Sequence, residues 1–184
     1  MSIAASPGGG GASPGSVYFG AVTSTKTEIS TRKIDPRATY LRVNADPEAL
    51  AASALDLREL NLLPGDTIRL RRLGGFRYDP PSSAELRTMV GVFSSSPTLL
   101  GPSSLHRVPA AVAAGLAYLT IPTLEGVLPT DIAEDFLIDD TLVCVPPEAT
   151  HLFLSPVDFF FGDNSDADGD YKLEITKYLY EPTL

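Results

Sequence analysis

Proline and glycine interrupt this chain at short intervals from Val17 onward, and that punctuation limits the fold more than any other feature. Between the interruptions lie short runs of β-favouring residues, at 16–22, 38–43, 67–72, 116–121, 141–145, 151–154 and 171–178, with a further apolar piece at 89–93. Many short strands and few helices predict an all-β domain, a sandwich or a barrel. The last run is the clearest: Tyr171, Leu173, Ile175 and Lys177 fall on one face, and Lys172, Glu174, Thr176 and Tyr178 on the other. The run at 67–72 alternates in the same way, with Ile68 and Leu70 inward, and the Leu63-Pro-Gly-Asp66 turn launches it.

Two stretches read as short helices. Residues 46–60 place Pro47 at a first helical position behind Asp46, and residues 109–116 are rich in alanine. Residues 1–16 are almost all Gly, Ser, Ala and Pro, too poor in apolar surface to offset the entropy of ordering, and are expected to form a flexible tail. Residues 17–184 then make a single domain, as the total of 184 residues suggests.

A net charge of −9 argues against nucleic acid as a partner, because binding a phosphate backbone relies on Lys and Arg displacing counterions. It also disfavours an anionic membrane surface, and no run approaches eighteen apolar residues, so no membrane-inserted helix is expected. The single cysteine, Cys144, excludes an internal disulfide and reads as a small buried residue of a strand. The first sixteen residues have neither a basic start nor an apolar stretch, so they do not read as an intact signal peptide.

The most chemically informative segment is 158–170, Asp-Phe-Phe-Phe-Gly-Asp-Asn-Ser-Asp-Ala-Asp-Gly-Asp. Asn164, Asp166, Asp168 and Asp170 stand at alternate positions, and Gly169 can take the positive φ of a sharp turn. Calcium takes six to eight oxygen ligands, and carboxylates at such spacing converge on one point. The helix-flanked loop of calcium sensors is a poor match, because Asn164 stands where Asp is usual and Ile175 where a bidentate Glu is needed. A loop closing a hairpin, with Asp158 and Asp163 adding carboxylates, is the better expectation. Turn-forming residues cluster without a metal in many proteins. Five carboxylates, on Asp158, Asp163, Asp166, Asp168 and Asp170, repel one another, and a bound divalent cation relieves this.

The stretch from Val145-Pro-Pro-Glu-Ala-Thr-His-Leu-Phe-Leu-Ser-Pro-Val-Asp158 through Asn164-Ser165 to Ile175 resembles the end of the soluble bacterial galactose lectins of the PA-I type. The segment Leu63-Pro-Gly-Asp-Thr-Ile-Arg-Leu70, with Gly74-Gly-Phe-Arg-Tyr78, is similar to that family's Pro-Gly-Asp strand. The resemblance implies a β-sandwich of the galactose-binding-domain-like, jelly-roll type. It implies Ca2+ as cofactor, held by Asp158, Asp163 and Asn164 with the main chains of Tyr78 and Phe160, and a sugar completing the shell. Asp166, Asp168 and Asp170 join the candidate metal ligands from the acidic spacing alone. Arg107-Val-Pro and Thr130-Asp-Ile-Ala-Glu-Asp-Phe136 are also similar to secreted bacterial proteins, which implies secretion or a cell-surface location and leaves the cytoplasm open.

The leading expectation is a non-catalytic, calcium-dependent carbohydrate-binding module, for a galactose-like sugar or a polysaccharide, with a homo-oligomer left open. The alternative is a secreted structural or adhesive domain in which calcium only staples the loop. An enzyme is disfavoured: the sequence has no Gly-x-Ser-x-Gly, His-Glu-x-x-His or phosphate-cradling glycine loop, and nothing marks Glu134 and Asp135 out from ordinary surface acids.

Overall fold

The computed structural model describes residues 24–43, 45–78, 85–123 and 128–180. Among these described residues thirteen strands run in chain order: β1 (Ser24–Lys33), β2 (Ala38–Thr39), β3 (Leu50–Ala51), β4 (Leu55–Asp56), β5 (Thr67–Leu73), β6 (Phe76–Arg77), β7 (Glu85–Leu86), β8 (Met89–Ser94), β9 (Ala111–Val112), β10 (Phe136–Leu137), β11 (Thr141–Cys144), β12 (His151–Pro156) and β13 (Lys172–Tyr180). The fold is all-β, and no helix forms among the described residues. The flexible tail expected at 1–16 and the strand expected at 16–22 lie outside those residues.

One antiparallel sheet has the order β1-β13-β5-β11, and a second has the order β10-β8-β12-β4 with β9 against β8. The expected alternation holds in the first: Ile68, Leu70, Leu173 and Ile175 are buried, whereas Arg69 and Arg71 point outward. Lys177 follows its neighbours inward, because its ammonium donates to Asn61 O at 2.8 Å and pairs with Asp66 at 2.7 Å. These inward residues pack with Met89, Phe93, Leu152 and Leu154 of the second sheet, so the two sheets share one core.

The second sheet is covered on its other face as well. Val90, Val92 and Phe153 meet Tyr40, Leu41, Val43, Val108, Ile132 and Phe161, which come mostly from irregular segments. All six residues of β8 are therefore buried, as the unbroken apolar run Met89–Phe93 requires.

Several expectations are corrected. Residues 46–60 form no helix: β3 pairs in parallel with β2, Ala38 to Leu50 and Thr39 to Ala51, and β4 adds to β12. That pairing overrides local helix preference. Residues 109–116 form β9 instead of a helix, since Ala111 and Val112 pair with Ser94 and Phe93. No strand forms at 116–121, and only Ala38–Thr39 of 38–43 is one. Strand β1 was not foreseen. Cys144 faces solvent, because the inward positions of its strand go to Val143 and Val145.

Candidate metal centre

The acidic segment does not close a hairpin. It joins β12, whose neighbours are β8 and β4, to β13, which pairs with β1 and β5 in the other sheet. The loop thus crosses from sheet to sheet, and its conformation is set by contacts with distant parts of the chain.

Asp46 makes the first of these. Its Oδ2 accepts hydrogen bonds from the backbone N–H groups of Phe161 and Gly162, and its Oδ1 accepts from those of Glu48 and Ala49, at 3.3 and 3.2 Å. A Cβ at position 162 would stand 2.7 Å from Asp46 Oδ1, so this approach needs glycine. Phe161 anchors the turn by burying its ring against the second sheet, and its carbonyl accepts from Asn164 N–H at 3.1 Å. A two-way bridge between Arg77 and Ser165, both bonds 2.8 Å, then brings β6 against the loop and carries Tyr78 alongside Asn164.

Held in this way, the loop turns side-chain oxygens inward with nothing to receive them. Among the described residues, five buried side-chain polar atoms lack a hydrogen-bond partner: Thr123 Oγ1, Asp158 Oδ2, Asp163 Oδ1, Asn164 Oδ1 and Asp166 Oδ2. Four of the five belong to this one loop, and Thr123 Oγ1 is the one other case among the described residues. Asn164 is 5% exposed, and its Nδ2 donates to Pro36 O at 2.9 Å, which fixes the amide with its oxygen free. Asp158 Oδ1 accepts from Phe159 N–H at 2.7 Å while its Oδ2 stays unpaired.

Burial raises the Asp158 pKa. The Phe159 N–H, the Asn164 amide and the Phe160 N–H lower it, and the nearby Asp163 charge raises it. Asp158, Asp163 and Asn164 are therefore close neighbours, and Phe160 touches the same carboxylate through its amide.

The second half of the loop is built differently. Asp166, Asp168 and Asp170 offer oxygens that lie within 4.8 Å of one another. Asp166 Oδ1 accepts from Asp170 N–H at 3.0 Å, and Asp170 Oδ1 accepts from Gly75 N–H at 3.1 Å. Gly169 takes φ = 71°, the left-handed turn its position requires. Lys33 Nζ stands 3.8 Å from Asp166 Oδ2. Asp168 and Asp170 are exposed.

Beside these groups lies a cleft of about 650 Å³, walled by Lys33, Asp35, Arg37, Asn164, Ser165 and Asp166. Phe159 and Phe160 project from the same loop, 66% and 40% exposed.

Asp46, Pro36 and the Arg77–Ser165 bridge escape a reading of the sequence, since each lies far from the loop in the chain. Asp46-Pro47 carries a capping signal, which says nothing of its second role. Asp135 is not the surface acid it resembles. It is 2% exposed, it accepts from Tyr40 Oη at 2.9 Å and Thr130 Oγ1 at 2.5 Å, and burial pushes its pKa up to about 7. Arg107 is buried too, donating to the carbonyls of Thr39, Leu41 and Leu100. The His106 N–H donates to Asp131, and the His151 ring meets Thr150 Oγ1, so the hydrogen bonds of neither lead to the acidic loop.

A scan against family models finds no match to this chain, and searches of curated proteins and of solved structures find none either.

Proposed function

We propose that this chain is a non-catalytic, calcium-dependent carbohydrate-binding module, with the ion held by Asp158, Asp163 and Asn164 and by the main chains of Tyr78 and Phe160. The observation that carries the reading is the set of buried, unpartnered oxygens on Asp158, Asp163 and Asn164. Leaving such groups unsatisfied costs roughly 1–3 kcal/mol each, more when charged, and a cation at their meeting point removes that cost. The donor set is carboxylate and amide oxygen without imidazole or thiolate, which suits a hard ion such as calcium. Two carboxylates balance one divalent charge.

Calcium accepts further oxygens, and a vicinal diol of a sugar can supply them. The adjoining cleft has room for a saccharide, and the exposed rings of Phe159 and Phe160 suit the apolar face of a pyranose. A secreted or cell-surface location goes with this reading.

A second reading keeps the ion and removes the sugar: calcium only staples the loop in a structural or adhesive domain. The solvent inaccessibility of the oxygens favours it, because an enclosed ion has fewer positions open to a ligand.

Thermal unfolding with calcium and with a chelator tests the ion, and an unchanged midpoint would remove both readings. A glycan array in calcium, repeated with Asp163→Ala and Asn164→Ala, separates them. Binding lost in both variants while each still unfolds cooperatively supports the lectin. An array blank for the parent protein leaves the staple.

A further inference from the structure

We infer that the loop carries a second, weaker site for a hard divalent cation, formed by Asp166, Asp168 and Asp170. Three carboxylates offer oxygens within 4.8 Å of one another, so their charges repel and a cation between them is favoured. The independent observation is Asp166: its side chain is 3% exposed, and its Oδ2 is buried without a hydrogen-bond donor. Such an oxygen calls for a cation or a proton donor, and the neighbouring carboxylates of Asp168 and Asp170 supply neither.

Lys33 is the nearest positive group, and it does not meet that need. Its ammonium stands 3.8 Å from Asp166 Oδ2, beyond hydrogen-bond reach, and its side chain is 63% exposed, where an ion pair contributes little. Three negative charges against one lysine leave two, the charge of one divalent ion. The scaffold is already formed: Asp170 N–H fixes Asp166, and Gly75 N–H fixes Asp170, so the ion need not order the turn. With two of the three ligands exposed, water completes the shell, and affinity falls in the weak range for oxygen sites, with Kd on the order of 10⁻⁴–10⁻³ M.

This site shares no ligand with the centre proposed above, so each stands or falls alone. Calorimetric titration of the full chain with calcium chloride alone is expected to resolve two ions of unequal affinity. Asp168→Asn, an exposed substitution, weakens the second by about tenfold or abolishes it and leaves the first unchanged. Asp163→Asn removes the first and leaves the second. A parent protein that binds a single ion lost in Asp163→Asn, or an Asp168→Asn titration identical to the parent's, overturns the second site while sparing the first. A single ion lost in Asp168→Asn and kept in Asp163→Asn has the opposite meaning.

Discussion

The two halves of the acidic loop differ less in charge than in how that charge is housed. In 158–164, three oxygens are sealed from water without donors, and acceptors from remote segments, the Asp46 carboxylate for the Phe161 and Gly162 N–H groups and the Pro36 carbonyl for the Asn164 amide, fix the geometry. In 166–170, the carboxylates hold the turn itself together and two of them face solvent. Composition alone makes the second half look the better cation loop, with its Asp-x-Asp-Gly-Asp spacing. Burial without partners marks the first more heavily, with three such oxygens against the one on Asp166, because an unpaired oxygen in low dielectric costs far more than a solvated one.

The comparison breaks most visibly with the ion itself. Calcium at about 100 times the Kd of the first half is expected to add ~2.7 kcal/mol, which raises the melting midpoint by about 5–10 °C for a chain of this size. Asp163→Ala abolishes that shift in a melting scan, and a variant that keeps it would transfer the principal site to 166–170. Asp46→Ala comes next. It removes the acceptor for four backbone N–H groups, and a loss of ~2–3 kcal/mol in urea unfolding is expected together with weaker calcium binding. Unaltered calcium affinity in that variant would show that the first half organises without Asp46.

Asp135 supplies the control for a buried carboxylate that does have donors. Its folded pKa of about 7 lies above the ordinary 3.8, so the folded state binds the proton more tightly than the unfolded. The stability this contributes is complete below about pH 4 and is lost as pH rises toward and through 7, with a slope of up to roughly 1.4 kcal/mol per pH unit. Asp135→Asn should flatten that decline in calcium-free unfolding curves, and a parallel decline in both proteins would contradict the assignment. Asp168→Asn has the smallest expected effect on the fold: within about 0.5 kcal/mol of the parent without calcium, as for other exposed substitutions.

What the sequence discloses depends on whether the cause is local. Strands β5, β8, β11, β12 and β13 were legible because alternation or an apolar run reflects burial at those residues themselves. Strand β1, Ser-Thr-Lys-Thr-Glu-Ile-Ser-Thr-Arg-Lys, has a single aliphatic residue, Ile29, and that one is exposed. Its strand state comes from nine residue pairings with β13, which nothing in its own composition announces. At Asp46 the local signal misled. The carboxylate does receive Glu48 and Ala49 N–H as a helix cap would, but it also grips Phe161 and Gly162, and the chain turns into β3. That Asp158, Asp163 and Asn164 share one short segment was readable from the sequence directly. The acceptors that orient the loop, on Asp46 and Pro36, sit more than a hundred residues away and were not.

The neighbour order β1-β13-β5 bears on how the molecule is made. Strand β13 is the last of the described strands, yet it lies between β1 and β5, and among the described residues it supplies the only strand partner of β1. On a ribosome the first sheet therefore waits, with β1 unpaired and β5 open along one side, until β13 has emerged. Pairings this distant in sequence close slowly and leave strand edges exposed to other chains meanwhile. The charges on Glu28, Arg32 and Lys33 of β1 then act before folding as well as after it, by keeping the waiting edge from pairing with a stranger.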